Sequence, residues 1–429
     1  MTTPALEQLA RRVQAAARMV ARSSASVRED ALRVAADLLD TEWATLLEAN
    51  QSDLARAEAD GMPAAAQDRL RLTEERVRAM AAGLRKVAGL ADPVGEVVDG
   101  WVRPNGLRVS RVRVPLGVVG VIYENRPNVT SDAAALCLKA GNAAFLRGSA
   151  SALASNQAIV GLLRRAAVKA GLPEDAVALV EDTSHEVAIE FMRLRGLIDC
   201  LIPRGGPGLI ASMLEHATVP YVLDGDGNCH VYVDRAADLS MALDIVVNAK
   251  THRFGVCNAA ETILVHAAVA ADFLPRMATA LVAAGVELRG DERVRALVAA
   301  AAAAVSAPTT VAVTPATELD FATEFLGPTV AVAVVDDLDR AIDHIARYSS
   351  GHSEAIVTSD VRAADRFVAE VDAAAVLVNA STRFIDGEEL GLGAEVGIST
   401  QKLHARGPMG VRELTSVKWI VRGDGQVRQ

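Results

Sequence analysis

The stretch Lys250-Thr251-His252-Arg253-Phe254-Gly255-Val256-Cys257-Asn258-Ala259-Ala260-Glu261-Thr262-Ile263-Leu264-Val265 sets a thiol on a small, flexible turn ahead of an apolar, β-branched run. Residues 262–265 read as a buried strand, so Cys257 belongs to the loop that leads into it. There a thiol is open to substrate while the sheet fixes its position. A nucleophilic cysteine must be a thiolate, and free cysteine titrates near ~8.5, so a neighbouring cation or backbone amides must help it. Lys250, His252 and Arg253 make the approach basic. The plainer alternative is a small buried apolar residue. The rest of the chain decides between them.

Downstream of the cysteine, strands alternate with helices: helices at 273–284 and 294–305, a strand at 329–335, a helix at 338–347, and strands at 355–358 and 376–379 around a helix at 363–371. Upstream, Val114-Pro115-Leu116-Gly117-Val118-Val119-Gly120-Val121-Ile122 is continuously apolar, as expected of a parallel strand covered on both faces. Strands at 143–146, 177–180 and 200–202 alternate with helices at 152–170 and 186–193. These patterns predict an α/β fold with two doubly wound domains. Residues 1–90 carry helical spacing (Leu6, Leu9, Val13; Ala31, Val34, Ala35, Leu38). Around Pro104-Asn105-Gly106 the pattern alternates, a hairpin signal, and residues 417–421 form an apolar tail strand. Neither piece has a core of its own, so hairpin and tail are expected to meet across a subunit boundary. The expected organisation is a cofactor-binding domain of residues 1–93 and 115–233, an oligomerisation arm and tail of 94–114 and 415–429, and a catalytic domain of 234–414 carrying the cysteine.

Composition narrows the partners. Of 429 residues, 51% are hydrophobic and 23% charged, and the net charge is -10 with no long basic block. That argues against nucleic acid or an anionic membrane as main partner. Four cysteines (137, 200, 229, 257) lie far apart without a Cys-x-x-Cys pair, which argues against disulfides and a metal site and suits a cytoplasmic protein. No apolar run is long enough to span a bilayer. Arg11, Arg12, Arg18 and Arg22 imitate a transit peptide, but the helical pattern continues past them without a cleavage-like break. Pro203-Arg204-Gly205-Gly206-Pro207-Gly208 follows a strand and opens a helix, and its bare amides can cradle a pyrophosphate.

Five motifs, the nucleophile stretch among them, carry a resemblance. They are Tyr123-Glu124-Asn125-Arg126-Pro127-Asn128-Val129-Thr130, residues 250–262, Tyr348-Ser349-Ser350-Gly351-His352-Ser353-Glu354-Ala355-Ile356, Phe384-Ile385-Asp386-Gly387-Glu388-Glu389-Leu390 and His404-Ala405-Arg406-Gly407-Pro408-Met409-Gly410. In this order, over nearly the whole chain, they resemble the aldehyde dehydrogenase superfamily and within it the γ-glutamyl phosphate reductases. Those relatives usually have glutamine where His252 stands.

The resemblance implies reduction of L-glutamyl 5-phosphate to L-glutamate 5-semialdehyde, with release of phosphate, on the way to proline. It implies Cys257 as the nucleophile that forms a thioester and an asparagine amide at the oxyanion. Asn128 ranks first for that amide because the reductase motif emphasises it; Asn125 stays open because counting from Gly117 reaches it. Arg204, Gly205 and Gly206 would hold the cofactor phosphates and Glu324 the nicotinamide ribose. NAD-preferring relatives have a glutamate near Ala150; here that place is small and Arg147 is near, so Arg147, Gly148 and Ser149 point to NADP and NADPH. Hydrolytic relatives carry a water-activating glutamate where Leu223 stands, although Asp224 or Asp226 offers a substitute. Arg383, His352 and Arg406, on Gly-rich loops, are the candidates for substrate capture. Homo-oligomers, dimer or tetramer, and transient contact with glutamate 5-kinase complete what the resemblance implies.

Overall fold

Apolar runs fold within fully covered strands: all six residues of Val118–Tyr123 are buried, and so are all seven of Ala260–His266, which carries the run Ile263-Leu264-Val265. The structure, a computed structural model, describes residues 3–223, 225–305 and 311–428. Asp224 therefore lies outside the described residues. The chain divides into two units, Met1–Asp224 with Gly391–Gly397 and Met409–Gln429, and Gly225–Leu390 with Ile398–Pro408.

In the first unit, four parallel strands run in the order Val177–Leu179, Ala143–Arg147, Val118–Tyr123, Cys200–Arg204. Helix Thr3–Val20 lays Leu6, Ala10, Val13 and Ala17, one apolar stripe, into a core with Phe145, Phe191 and Leu201. Helices Ala25–Ala59 and Glu74–Ala88 start at Ser24 and Thr73, whose hydroxyls accept from the Val27 and Arg76 amides.

The arm departs from expectation. Strands Val97–Val102 and Arg108–Pro115 do form a hairpin, but the tail Thr415–Arg422 pairs along Arg108–Pro115 of its own chain, from Thr415 opposite Pro115 to Arg422 opposite Arg108. The approach to the tail is pinned close by: Asn142 Nδ2 donates to Leu414 O at 2.8 Å, and Arg113 Nη1 donates to Arg412 O at 3.2 Å. With its start fixed beside the hairpin, the tail satisfies its backbone locally, and Trp101 meets Trp419 edge-on at 5.6 Å. The outer strand, Val97–Val102, is exposed at every position.

In the second unit seven parallel strands run Val313–Pro315, Glu287–Gly290, Thr329–Val335, Ala260–His266, Cys229–Val233, Ser353–Val357, Ala375–Val378. The strand Cys229–Val233 is central here, so the units divide at Asp224–Gly225 and not at 233/234 as the sequence suggested. In the fold His230 is fully buried, its Nδ1 3.0 Å from Glu354 Oε2 on the next strand. Residues 391–397 and 409–414, expected with the catalytic domain, group with the first unit. Among the described residues no helix is long and apolar enough to cross a membrane.

Because the strands are parallel, the loops before Cys229–Val233, Ala260–His266, Thr329–Val335 and Ser353–Val357 share one edge of the sheet, the amino-terminal edge. Those loops carry Gly227, Cys257, Glu324 and Ser350.

Candidate active site

Helix Leu239–Thr251 ends one residue before His252, and strand Ala260–His266 begins eight later, so Cys257 sits on a tight turn. It is half-buried, whereas Cys137, Cys200 and Cys229 are buried. The turn is clamped on both sides. Asn258 Nδ2 donates to Ile385 O at 2.9 Å, and Thr382 Oγ1 donates to Asn258 O at 2.7 Å. Gly227 packs so closely that a Cβ there would fall 1.7 Å from Cys257 O and 2.4 Å from its Cα. The Gly227 amide donates to Glu324 Oε1 at 2.8 Å. Asn228 ties the same segment to two more loops, its Nδ2 donating to Phe321 O and Tyr348 O at 2.7 Å each.

Behind the nucleophile, Cys229 Sγ donates to Cys257 O at 3.1 Å. Burial pushes the Cys229 thiol well up, so it stays protonated and keeps donating. His352 is fully buried too, its Nδ1 2.7 Å from Ser353 Oγ and 3.6 Å from Cys229 Sγ. Burial brings it down to about 4, so the ring is neutral. His352 is a candidate for substrate capture by its glycine-rich neighbours, which suggest an open loop; in the fold its side chain turns inward and is fully buried.

Arg383 stands on the short turn Thr382–Phe384 and donates from Nε to His252 Nδ1 at 3.3 Å. Its guanidinium value is lowered chiefly by burial, while Asp386 and Cys257 are among the groups drawing it back up. The turn that Arg383 stands on is tied to the nucleophile turn by the Thr382–Asn258 hydrogen bond. Lys250, part of the basic approach, is instead fully buried and paired with Glu261 at 2.5 Å. Burial moves that pair toward neutrality, Glu261 up to about 7 and Lys250 down. Arg406 is drawn away as well. It pairs with Asp372 at 2.7 Å, and Lys402 pairs with the same carboxylate, on a cavity of about 350 Å³ lined also by Ser349, Gly351 and Thr400.

The cofactor candidates of the first unit cluster after its strands. Arg147 closes strand Ala143–Arg147 and donates from Nη2 to Thr183 O at 2.7 Å and Ser184 O at 3.1 Å; its buried Nε has no partner. A Cβ on Gly148 would fall 2.1 Å from Asn156 Nδ2, and Ser149 Oγ accepts the Asn125 amide at 3.2 Å. Gly205 and Gly206, after Arg204, lead into helix Pro207–His216. The Gly206 amide donates to Glu124 Oε2 at 3.0 Å, a carboxylate standing in for a phosphate oxygen at a helix N-terminus. A Cβ on Gly205 would fall 2.7 Å from the Glu124 carboxyl carbon, so a larger residue there would displace the carboxylate. These residues fit a dinucleotide's phosphates.

The two asparagines differ. Asn125, at φ +39°, accepts from Ser151 Oγ through Oδ1, and its Nδ2 lies 3.4 Å from Met62 Sδ, so both ends of its amide are engaged. Asn128 is exposed on helix Pro127–Lys139, and one N–H of its Nδ2 donates to Asp132 Oδ2 at 3.0 Å.

Residues 2–304 and 296–420 match the aldehyde dehydrogenase family. The chain belongs to that family. It is 54% identical over 418 residues to the γ-glutamyl phosphate reductase of Moorella thermoacetica, covering 97% of both chains. Against the γ-glutamyl phosphate reductase of Thermobifida fusca it is 52% identical, covering 99% of this chain and 98% of the relative. The crystal structure of γ-glutamyl phosphate reductase from Thermotoga maritima superposes with a TM-score of 0.94 at 46% identity, over 98% of this chain and 99% of that one.

Within the aldehyde dehydrogenase family the chain is an oxidoreductase of the γ-glutamyl phosphate reductase branch, and the family uses a nicotinamide cofactor. Three features of the nucleophile escaped the sequence reading: Gly227, the Cys229 thiol and the Lys250–Glu261 pair. Only Gly227 left a signal, a glycine in a loop ahead of a strand. The other two depend on which strands become neighbours.

Proposed function

We propose that this chain reduces L-glutamyl 5-phosphate to L-glutamate 5-semialdehyde with NADPH, in the route from glutamate to proline. The Cys257 thiolate attacks the acyl carbon, the bond to the phosphate oxygen breaks, and phosphate leaves a thioester on sulfur. Bound NADPH supplies the hydride that the acyl carbon then receives. The resulting oxyanion is held by the Asn128 amide and the Cys257 N–H, and it collapses to expel the thiolate and free the aldehyde. Arg383 offsets the charge of the dianionic leaving group. Arg147, Gly148, Ser149, Arg204, Gly205, Gly206 and Glu324 hold the cofactor.

The observation that carries this reading is the docking of the Arg383 turn on the Cys257 turn: Thr382 Oγ1 donates to Asn258 O and Asn258 Nδ2 donates to Ile385 O, and a cation on a turn clamped to the nucleophile suits an anionic acyl phosphate. Water-driven oxidation of aldehydes is less well supported, because Leu223 packs against an apolar core where hydrolytic relatives carry their glutamate. Asp226 is exposed one residue ahead of Gly227. The exposed edge Val97–Val102, with Val97 61% and Val102 67% accessible, supports a homo-oligomer. Cytoplasmic residence and transient contact with glutamate 5-kinase belong to the same proposal. The test is oxidation of glutamate semialdehyde in phosphate buffer with NADP or NAD. Faster turnover with NADP supports the reading, and no turnover with either cofactor overturns it.

A further inference from the structure

Two fully buried charges flank the nucleophile turn. Lys250 lies in the last turn of helix Leu239–Thr251 and Glu261 is the second residue of strand Ala260–His266, so their contact at 2.5 Å closes a loop with Cys257 inside it. Burying such a pair costs desolvation that an apolar pair would avoid, so stability alone is a poor reason for it. The second Glu261 oxygen, Oε1, accepts the Leu326 amide at 3.3 Å. Leu326 has φ +51°, a left-handed conformation that leucine keeps only when held. The Phe325 ring lies 6.0 Å from Lys250 Nζ. Two residues before Leu326, Glu324 takes the Gly227 amide, and Gly227 abuts the backbone of Cys257.

These contacts form a closed circuit: Lys250 to Glu261, Glu261 to the segment 324–326, Glu324 to Gly227, Gly227 to Cys257. We propose that the Lys250–Glu261 pair is a positioning device that fixes the nucleophile turn and the Glu324 segment in one arrangement. Neither residue touches the reacting atoms. The cofactor arm of the inference rests on the reading of Glu324 as the carboxylate for the nicotinamide ribose; the sulfur arm does not.

Two double variants separate positioning from stability. Lys250→Met with Glu261→Met replaces the pair by apolar groups of similar volume and removes the acceptor for the Leu326 amide. Lys250→Met with Glu261→Gln removes the charges and keeps that acceptor. The readouts are the rate of Cys257 alkylation by iodoacetamide in the cofactor-free enzyme and NADPH affinity from nicotinamide fluorescence. The Met/Met variant is expected to melt near the parent, yet to change the alkylation rate and weaken NADPH, each by about tenfold. The Met/Gln variant is expected to recover most of both. Glu324→Gln in the parent checks the ribose reading: if affinity is unchanged there, that reading fails, and the alkylation rate alone judges the pair. A folded Met/Met variant with parent-like alkylation overturns the proposal, and so does a Met/Gln variant no better than Met/Met. If Met/Met does not fold, Lys250→Leu with Glu261→Leu, which likewise removes the acceptor for the Leu326 amide, takes its place, and parent-like alkylation there overturns the proposal.

Discussion

Cys257 O occupies the space in which a side chain at position 227 would begin, since a Cβ built on Gly227 falls 1.7 Å from it. Both groups are backbone, so no rotamer change relieves the overlap. Gly227→Ala should therefore push the nucleophile turn off the sheet edge. We expect a loss in kcat of about a hundredfold or more, the scale of an ångström-sized misplacement. Steady-state kinetics with a melting curve checks it; a stable alanine variant with parent activity would show that the two loops are not locked.

Asp132 gives a pH-dependent prediction. Burial of its carboxyl raises it from 3.8 to about 6, with Asn128 and Ser131 pulling the other way. The folded state thus holds this proton more tightly than the unfolded chain does. That contribution is fully present below pH 3.8 and lost as pH rises through about 6. Relative to Asp132→Asn, the parent should lose stability across this window, read from urea denaturation. The ionised form is the better acceptor for Asn128 Nδ2, so an acid limb in kcat near pH 6 should vanish in Asp132→Asn. Parallel stability and rate profiles for the two proteins would remove Asp132 from the site.

Arg383→Met should spare the fold, because the side chain is partly open and its Nε hydrogen bond goes to His252, itself a surface residue. It should raise KM for phosphate in semialdehyde oxidation by about tenfold or more, the loss of a charge-assisted contact, and slow iodoacetamide at Cys257. Arg383→Lys should recover part of the alkylation rate and less of the phosphate affinity, since an ammonium lacks the planar fork. Unchanged phosphate KM in Arg383→Met would assign the leaving group to another cation.

The four cysteines should label in a fixed order. Burial pushes Cys200 up to about 12, and Cys137 and Cys229 are also raised by burial. Iodoacetamide at neutral pH should modify Cys257 first, by peptide mass mapping, and Cys257→Ala should be nearly inert to the reagent and to substrate. Early labelling of Cys229 would mean that the turn opens readily.

Much of this was legible in the residues because the signals are local. Apolar continuity marked Val118–Tyr123 and Thr329–Val335, and Asn105-Gly106 marked the hairpin turn. What was hidden depends on neighbours far along the chain. Strand Cys229–Val233 buries His230 beside Glu354, whose carboxylate accepts the His230 backbone amide from 124 residues away, a pairing that no local pattern announces. His352 looked like a loop residue until the sheet covered it. Lys250 was one of three cations in the basic approach, but helix geometry turns it toward Glu261, while Arg383, far along the chain, stands on the turn that Thr382 ties to Asn258. The tail paired with its own hairpin because Asn142 and Arg113 hold its start in place.

The central claim is a thioester on Cys257 that phosphate, and not water, releases. It is tested most directly by mixing the enzyme with glutamate semialdehyde and NADP in phosphate-free buffer and following NADPH in a stopped-flow instrument. The account predicts a burst of at most one NADPH per active site, then a halt, with turnover starting when phosphate is added. Steady turnover without phosphate would contradict it.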